Sequence, residues 1–216
     1  MAVQLPLRID IVSDVMCPWC AIGYNQLAQA LKATGIAHEI HWQPFELNPD
    51  MPPEGRDRFS YLEEKYGSDR AKSDDTHARM TALGADLGFT FNFGEEFRVH
   101  NTFNSHQLLH WAGTHGRQHD LKLALLAAHF TDRRNLSDTD VLADVAGEIG
   151  LDRTEALAVL ADQRHANDVR TAQAFWAKQG IQGVPAMIFD RKYLVTGAQG
   201  VENYTSILKQ IVEEPA

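Results

Sequence analysis

The chain has 216 residues, of which 44% are hydrophobic and 23% are charged, and its formal net charge is −9. This length predicts one domain with its own core, and the composition excludes disordered and membrane-embedded proteins. Because an acidic chain attracts phosphate backbones poorly, we expect no nucleic-acid partner.

The amino terminus reads MAVQLPLRID and has no charged leader followed by an apolar run. Secretory signals have both features, and we therefore expect a cytoplasmic protein. No stretch approaches the roughly 18 apolar residues of a membrane helix, so we expect no membrane association. In a reducing compartment a close pair of cysteines is more often catalytic or metal-binding than structural.

The first predicted elements form a β-α-β unit. Residues 7–13 alternate between apolar and polar side chains and end in an apolar pair, which predicts a strand. A helical pattern over about residues 18–33 stops at Gly35, and a second strand over residues 36–42 is closed by Pro44. Such a crossover predicts that the two strands are parallel.

The middle of the chain is predicted to be helical, and strands return only near its end. Helical patterns cover residues 57–66, 70–87, 101–115, 117–131, 139–149, 153–162 and 164–179. Strand patterns follow at residues 186–189 and 193–196, and a last helix covers about residues 201–212.

The strands are thus split between the two ends of the chain, and neither end alone offers enough strands for a stable sheet. We therefore predict one α/β domain with a large helical insertion between a β-α-β half and a β-β-α half. The sheet domain is assigned to residues 1–55 and 180–216, and the insertion to residues 56–179.

The segment Cys17-Pro18-Trp19-Cys20 contains both cysteines of the chain and lies where the first strand meets the first helix. Free N–H groups and the positive end of the helix dipole favour a thiolate there. Pro18 suits the first helical position, because its missing N–H would have no partner. The spacing predicts a redox pair in which Cys17, nearest solvent, attacks, and Cys20, one turn inside, resolves the mixed disulfide.

Two other interpretations of the pair are half of a zinc site and two inert core thiols. A zinc site would need His or carboxylate ligands, because the chain has no further cysteine. His106 and His110 stand four residues apart on one predicted helix, but the zinc-binding helix pattern has Glu where this chain has Gln107. We therefore expect no metal, and the compartment, spacing and context favour redox catalysis.

A second motif, Gly183-Val184-Pro185, lies just before the third strand. Proline cannot donate to a sheet, and X-Pro bonds are those in which a cis peptide is accessible. With the cysteine segment and the long helical insert, this motif resembles the DsbA-like branch of the thioredoxin superfamily, most closely its FrnE-like cytoplasmic group. Other matching positions over nearly the whole chain are Ser13-Asp14, Gly23, residues 42–49 and residues 196–199.

The resemblance implies a thioredoxin-like sheet and a dithiol-disulfide oxidoreductase or isomerase that acts on protein or small-molecule thiols. It also implies a cis-proline loop at Val184-Pro185, beside the cysteines, whose backbone pairs with an extended substrate. An ordinary trans proline is the alternative. No bound cofactor is implied, and glutathione or a thioredoxin-type reductant is a candidate electron donor. Trp19 supplies no charge where DsbA has a His, so a strongly oxidising potential is not implied.

Four more residues are candidates around the site. In this family the insert helix packs over the active site, so Asn101, Thr102 and His106 are candidates for a substrate groove, with a structural role for the histidine as the alternative. Asp14, three residues before Cys17, can take part in proton transfer or cap the following turn. The second role is favoured for Asp14.

Two competing functions remain open at this point. One is a glutathione-dependent isomerase or transferase of the related kappa-type branch, which shares the fold and the insertion. Such enzymes generally have a Ser at the helix start and do not need a second thiol, so Cys20 counts against this alternative. The other is a non-catalytic interaction protein with an inert cysteine pair. The sequence predicts no oligomeric state.

Overall fold

The computed structural model describes residues 5–52, 54–94 and 97–213. The predicted sheet segments 1–55 and 180–216 begin and end with residues outside this range. The strands are β1 (Leu7–Ser13), β2 (His38–Pro44), β3 (Arg56–Asp57), β4 (Arg98–Val99), β5 (Ala186–Phe189) and β6 (Tyr193–Thr196). The helices are α1 (Pro18–Thr34), α2 (Arg58–Tyr66), α3 (Arg70–Asp86), α4 (Phe103–Thr114), α5 (Gln118–Phe130), α6 (Thr139–Glu148), α7 (Arg153–Asp162), α8 (Ala166–Lys178) and α9 (Val201–Glu213).

The four longer strands form one mixed sheet in the order β2-β1-β5-β6. Strand β1 is parallel to β2 and antiparallel to β5, and β5 is antiparallel to β6. The predicted α/β fold, the parallel first crossover and the split of the sheet between the two chain ends are therefore confirmed. Because β1 is a central strand, the cysteine segment that follows it emerges from the middle of the sheet.

The predicted limits of β2 are wrong by two residues, since the strand spans His38–Pro44 and its register pairs Ser13 with Pro44. Proline lacks an N–H donor and is tolerated here because β2 is an edge strand of the sheet. The ribbon of β3 and β4 was not predicted, because strands of two residues are too short to show alternation.

Helix α1 positions the cysteines because it is buried on two sides. Pro18 occupies its first turn, and Gly35 ends it in the left-handed conformation with φ of 67°. One side packs on the sheet in a cluster that includes Ile9, Ile11, Leu27, Leu31, Phe189 and Tyr204. The other side packs on the insertion in a cluster that includes Ala21, Ile22, Met80, Phe91, Leu126 and Phe130.

The turn before the cysteines is anchored in the core of the insertion. Val15 and Met16 belong to a buried cluster whose other members include Leu108, Leu121, Leu125, Leu142 and Val145. Burial of each such side chain contributes about 1.5–3 kcal/mol. The exact division into residues 1–55 with 180–216 and 56–179 stays a prediction. None of the helices in the described segments combines the length and hydropathy needed to cross a membrane.

Candidate functional site

The two sulfurs lie at the start of α1, one turn apart. Cys17 is the N-cap residue, and its N–H donates to the carbonyl of Asp14 over 3.3 Å. Cys20 is 0% exposed, whereas Cys17 is 5% exposed. The predicted order of accessibility holds, but Cys17 is itself buried, because helices of the insertion enclose the space in front of it. Neither cysteine is in a disulfide.

The second predicted motif lies against the first, although 167 residues separate Cys17 from Val184. The thiol of Cys17 donates to the carbonyl oxygen of Val184 over 3.8 Å, and the peptide bond between Val184 and Pro185 is cis. Gly23 permits this approach, because a Cβ added there would lie 3.1 Å from Cγ of Pro185. This contact explains why a glycine stands inside an otherwise well-formed helix.

The sulfurs are electrostatically linked. The hydrogen bond with Cys20 and then burial raise the pKa of Cys17. Burial also opposes ionisation of Cys20, yet the hydrogen bond from Cys17, the charge of Lys122 and the hydroxyl of Ser13 together lower the pKa of Cys20. The helix start alone therefore does not decide where the thiolate forms. The pair gives up one proton readily and the second with difficulty, because the remaining thiol donates to the thiolate.

Lys122, in α5, is the main residue that the sequence analysis missed. It is 1% exposed, and its ammonium nitrogen lies 5.1 Å from the centroid of the Trp42 ring. Burial lowers the pKa of Lys122 to about 8, although negative charge on Cys20 and on Asp14 favours the ammonium. The signal in the sequence was a lysine between Leu121 and Leu123 in an apolar helix. Lys122 also lines a cavity of about 530 Å³ beside β2.

Asp14 holds the turn that leads into the helix. Its carboxylate accepts from the N–H of Leu47 over 2.7 Å and from the N–H of Met16 over 3.3 Å. Burial opposes the charge of Asp14, but the interaction with His106, whose Nε2 lies 3.8 Å away, and the hydrogen bond from the N–H of Leu47 still lower the pKa of the carboxyl. The capping role favoured from the sequence agrees with these contacts.

A mostly apolar cavity of about 440 Å³ opens beside Cys17. It is enclosed by the start of α1, by α2 and α3, and by the aromatic segment that precedes β4. Cys17, Pro18, Trp19 and Val184 line one part of it. The rest of the lining includes Arg58, Tyr61, Leu62, Tyr66, Ser73, His77, Met80, Phe93, Phe97 and Phe130.

The predicted groove residues lie elsewhere. Asn101 accepts from the N–H of Phe103 over 2.9 Å and so begins α4, and Thr102 is buried at the N-cap of that helix. His106 is buried, and its Nε2 lies 2.9 Å from the carbonyl oxygen of Phe45. A substrate-binding role for Asn101, Thr102 and His106 stays a prediction without support from the cavity beside Cys17. The structural alternative for His106 agrees with its contacts.

Among the described residues, His106 and His110 have no partner in common, although they lie four residues apart on α4. The Nε2 atom of His110 is 3.5 Å from a carboxylate oxygen of Asp168, which is also 3.1 Å from Nδ1 of His165. His106 instead lies 3.8 Å from Asp14, so the two imidazoles belong to different surroundings.

Comparison with known proteins agrees with this geometry. The family model described as "DSBA-like thioredoxin domain" matches residues 8–209. A curated relative is the uncharacterized protein YwbO of Bacillus subtilis, which is 25% identical over 197 residues that cover 91% of this chain and 92% of the relative.

Solved structures give the same result. A probable DsbA oxidoreductase from Streptomyces coelicolor has a TM-score of 0.91 and 33% identity, with 97% of this chain and 92% of that chain covered. The cytosolic disulfide reductase DsbM of Pseudomonas aeruginosa, solved with GSH, has a TM-score of 0.66 and 15% identity, covering 96% and 100% of the two chains. A 2-hydroxychromene-2-carboxylate isomerase has a TM-score of 0.71 and 13% identity, covering 95% and 96%. The chain belongs to the DSBA-like thioredoxin domain family.

Proposed function

We propose that this protein is a dithiol-disulfide oxidoreductase in which Cys17 is the nucleophile and Cys20 the resolving thiol. One observation carries the proposal. The Cys17 sulfur stands at the N-cap of α1, against the carbonyl of Val184 and in the wall of a cavity, with Cys20 fully buried one turn behind it. A substrate sulfur in that cavity meets Cys17 before it meets Cys20.

The reaction is an exchange in two steps. The Cys17 thiolate attacks one sulfur of a substrate disulfide, so that a mixed disulfide forms and one substrate thiolate leaves. The Cys20 thiolate then attacks the Cys17 sulfur, which closes the intramolecular disulfide and releases the second substrate thiolate. Two electrons pass from the cysteine pair to the substrate, and the protons of the pair end on the released thiolates.

Each step needs a thiolate, and the surroundings of the pair supply it. The surroundings favour the thiolate on Cys20 and the thiol on Cys17, so in the first step the shared proton passes from Cys17 to Cys20, whose thiol then donates to the attacking sulfur. In the second step the Cys20 thiolate is stabilised by the ammonium of Lys122, whose favourable interaction with Cys20 is mutual. Asp14 keeps the preceding turn in place through its two backbone hydrogen bonds.

Trp19 and the Val184-Pro185 segment complete the proposed site. Trp19 is among the exposed large hydrophobic residues and lines the cavity, so it offers an apolar surface to an incoming substrate. The cis Val184-Pro185 bond presents backbone beside Cys17, and we assign to it the pairing with an extended part of the substrate.

Two variants test the division of roles. Cys20→Ser is expected to accumulate a mixed disulfide with an added disulfide substrate, which intact-protein mass spectrometry detects as a stable adduct. Cys17→Ser is expected to form no adduct and to lose disulfide reduction. Because the two substitutions remove the same atom type one turn apart, each is the control for the other. Full disulfide reduction by Cys17→Ser would overturn the assignment. So would an adduct on Cys20 of that variant that forms as fast as the wild-type protein reacts with the same disulfide.

The electron donor, the cellular location and the subgroup are further parts of the proposal. We assign a cytoplasmic location, a FrnE-like subgroup and glutathione or a thioredoxin-type reductant as donor. The alternative is a glutathione-dependent isomerase or transferase of the kappa-type branch, and the observation that favours it is the fold that this chain shares with the isomerase structure. Calorimetric titration with glutathione separates the two, because tight binding that is independent of the redox state of the pair is expected only for the isomerase.

A further inference from the structure

The cavity beside Cys17 contains a buried cation whose hydrogen bonds are largely unused. Arg58, in the first turn of α2, is 5% exposed and lines this cavity together with Cys17. Its Nη2 donates to Nδ1 of His77 over 2.9 Å. Its Nε and Nη1 atoms are buried and have no hydrogen-bond partner among the described residues. A guanidinium has five N–H donors, and the three on these two atoms have no acceptor within the part of the chain that the structure describes.

The described side chains around Arg58 cover its charge but do not accept hydrogen bonds from its free N–H groups. Three aromatic rings surround the guanidinium carbon, at 4.9 Å for Phe59, 5.5 Å for Phe93 and 5.6 Å for Phe97. Cation–π contacts of this kind stabilise the charge but accept no N–H hydrogen bond in the plane of the guanidinium. The donors that remain therefore need an acceptor from another source.

The cation is maintained although it is buried. Burial lowers the pKa of Arg58 to about 10, so the group is still protonated at neutral pH. Burial and the charge of Arg58 lower the pKa of His77 to about 4, so the imidazole is neutral and can accept from the guanidinium. Asp57 and Asp74 favour the charge from a distance, but neither carboxylate is hydrogen-bonded to Arg58. A buried cation with unused donors is costly, and an anion in the cavity would offset that cost.

We propose that the cavity binds a low-molecular-weight disulfide that has an apolar or aromatic body and a carboxylate, with the carboxylate on Arg58 and the sulfur at Cys17. The inference rests on the proposed function and adds its substrate class. The volume of about 440 Å³ lies in the range of small-molecule sites and suits one substituted ring. Tyr61, Phe93 and Phe97 supply the apolar walls for that ring. Arginine is well suited to the task, because its fork matches the two oxygens of a carboxylate.

Two chromogenic disulfides test the proposal. Dithiobis(nitrobenzoate) carries a carboxylate on each ring, and dithiodipyridine is aromatic and neutral at pH 7.5. The reduced protein is mixed with each disulfide, and the second-order rate constants are compared as a ratio of anionic to neutral substrate. We expect Arg58→Gln to lower this ratio at least about tenfold, as the loss of a charge-assisted hydrogen bond predicts.

Arg56→Gln is the matched control. Arg56 lies two residues away, pairs with Glu64 and is partly exposed, so its replacement removes the same charge from the same region without touching the cavity. The ratio is expected to stay within about twofold in this variant. If Arg58→Gln slows both disulfides equally, or if Arg56→Gln lowers the ratio as much, the assignment of Arg58 is overturned.

Binding without redox chemistry separates this inference from the proposed function. Calorimetry on the Cys17→Ser/Cys20→Ser variant is expected to show binding of benzoate and none of benzamide, and Arg58→Gln is expected to abolish the benzoate signal. Failure of the wild type to reduce either disulfide would overturn the redox proposal alone. Failure of benzoate to bind would overturn the anion site alone. If Arg58→Gln does not fold, the wild type gives the test. Slower reaction of Cys17 with dithiodipyridine in benzoate than in benzamide supports the site, and equal rates overturn it.

Discussion

Replacement of Lys122 by Met is expected to stabilise the fold at neutral pH while it weakens the redox chemistry. Lys122 is almost completely buried, and its ammonium contacts the Trp42 ring without a hydrogen bond to a described carboxylate. The folded state therefore contains a buried charged group at a position where a neutral group would give a lower free energy. Methionine has a similar length and no charge, and it leaves no large cavity.

The magnitude follows from the pKa of Lys122, which burial lowers from an ordinary value of 10.5 to about 8. At 1.36 kcal/mol per pKa unit, this difference corresponds to about 3 kcal/mol of folding free energy. Below pH 8 both folded and unfolded chains are protonated, so the whole cost is present at pH 7. As the pH rises from 8 to 10.5 the folded state loses its proton first, and the cost disappears.

Chemical denaturation at pH 7 and at pH 10 measures this effect. Lys122→Met is expected to unfold with a free energy about 3 kcal/mol higher than the wild type at pH 7, and the difference is expected to shrink at pH 10. Lys32→Met is the control, because Lys32 is exposed on α1, and a change below about 0.5 kcal/mol is expected. A less stable Lys122→Met variant at pH 7, or a difference that does not depend on pH, would refute the reasoning.

The same substitution has a functional readout. Without the ammonium, the Cys20 thiolate loses a stabilising charge, so the apparent pKa of the pair is expected to rise. The pH dependence of alkylation by iodoacetamide measures that change. The reduced form also loses stability relative to the disulfide, and equilibration with glutathione is expected to give a more negative reduction potential. An unchanged alkylation profile would show that Lys122 does not act on the sulfurs.

Two further substitutions probe the supports of the site. Asp14→Asn is expected to lower the unfolding free energy at pH 7 by about 1–3 kcal/mol, because it removes a buried charged acceptor from Leu47. Since the folded pKa of Asp14 lies below its ordinary value of 3.8, this deficit is expected to shrink as the pH falls below that value in a denaturation series. Gly23→Ala is expected to slow disulfide reduction and to cost about 1–3 kcal/mol, since its Cβ would press on Pro185. Gly147→Ala in α6 is its control, because the nearest atom lies at an ordinary 3.7 Å and the helix gains a better former, so equal losses in both variants would contradict the contact argument.

The local sequence pattern was sufficient to predict β1, α1 and the cysteine pair of the candidate site. The alternation in residues 7–13, the proline after Cys17 and the stop at Gly35 each act over a few residues, and the structure has β1 and α1 where they predict. The split of the strands between the two ends of the chain predicted one sheet with a long helical insertion, because a sheet of only two strands is not stable alone. The cysteine spacing likewise indicated exchange chemistry before any contact was known.

Tertiary packing decided the remainder, because it depends on which distant segments meet. The limits of β2 followed from its place at the sheet edge, where Pro44 needs no hydrogen-bond partner. The charge beneath Cys20 comes from Lys122, about a hundred residues away, and appeared in the sequence only as a lysine in an apolar helix. Arg58 is equally ordinary in the sequence. Its burial beside Cys17 gives it a role, because a charge acquires its free-energy cost only from the groups that surround it.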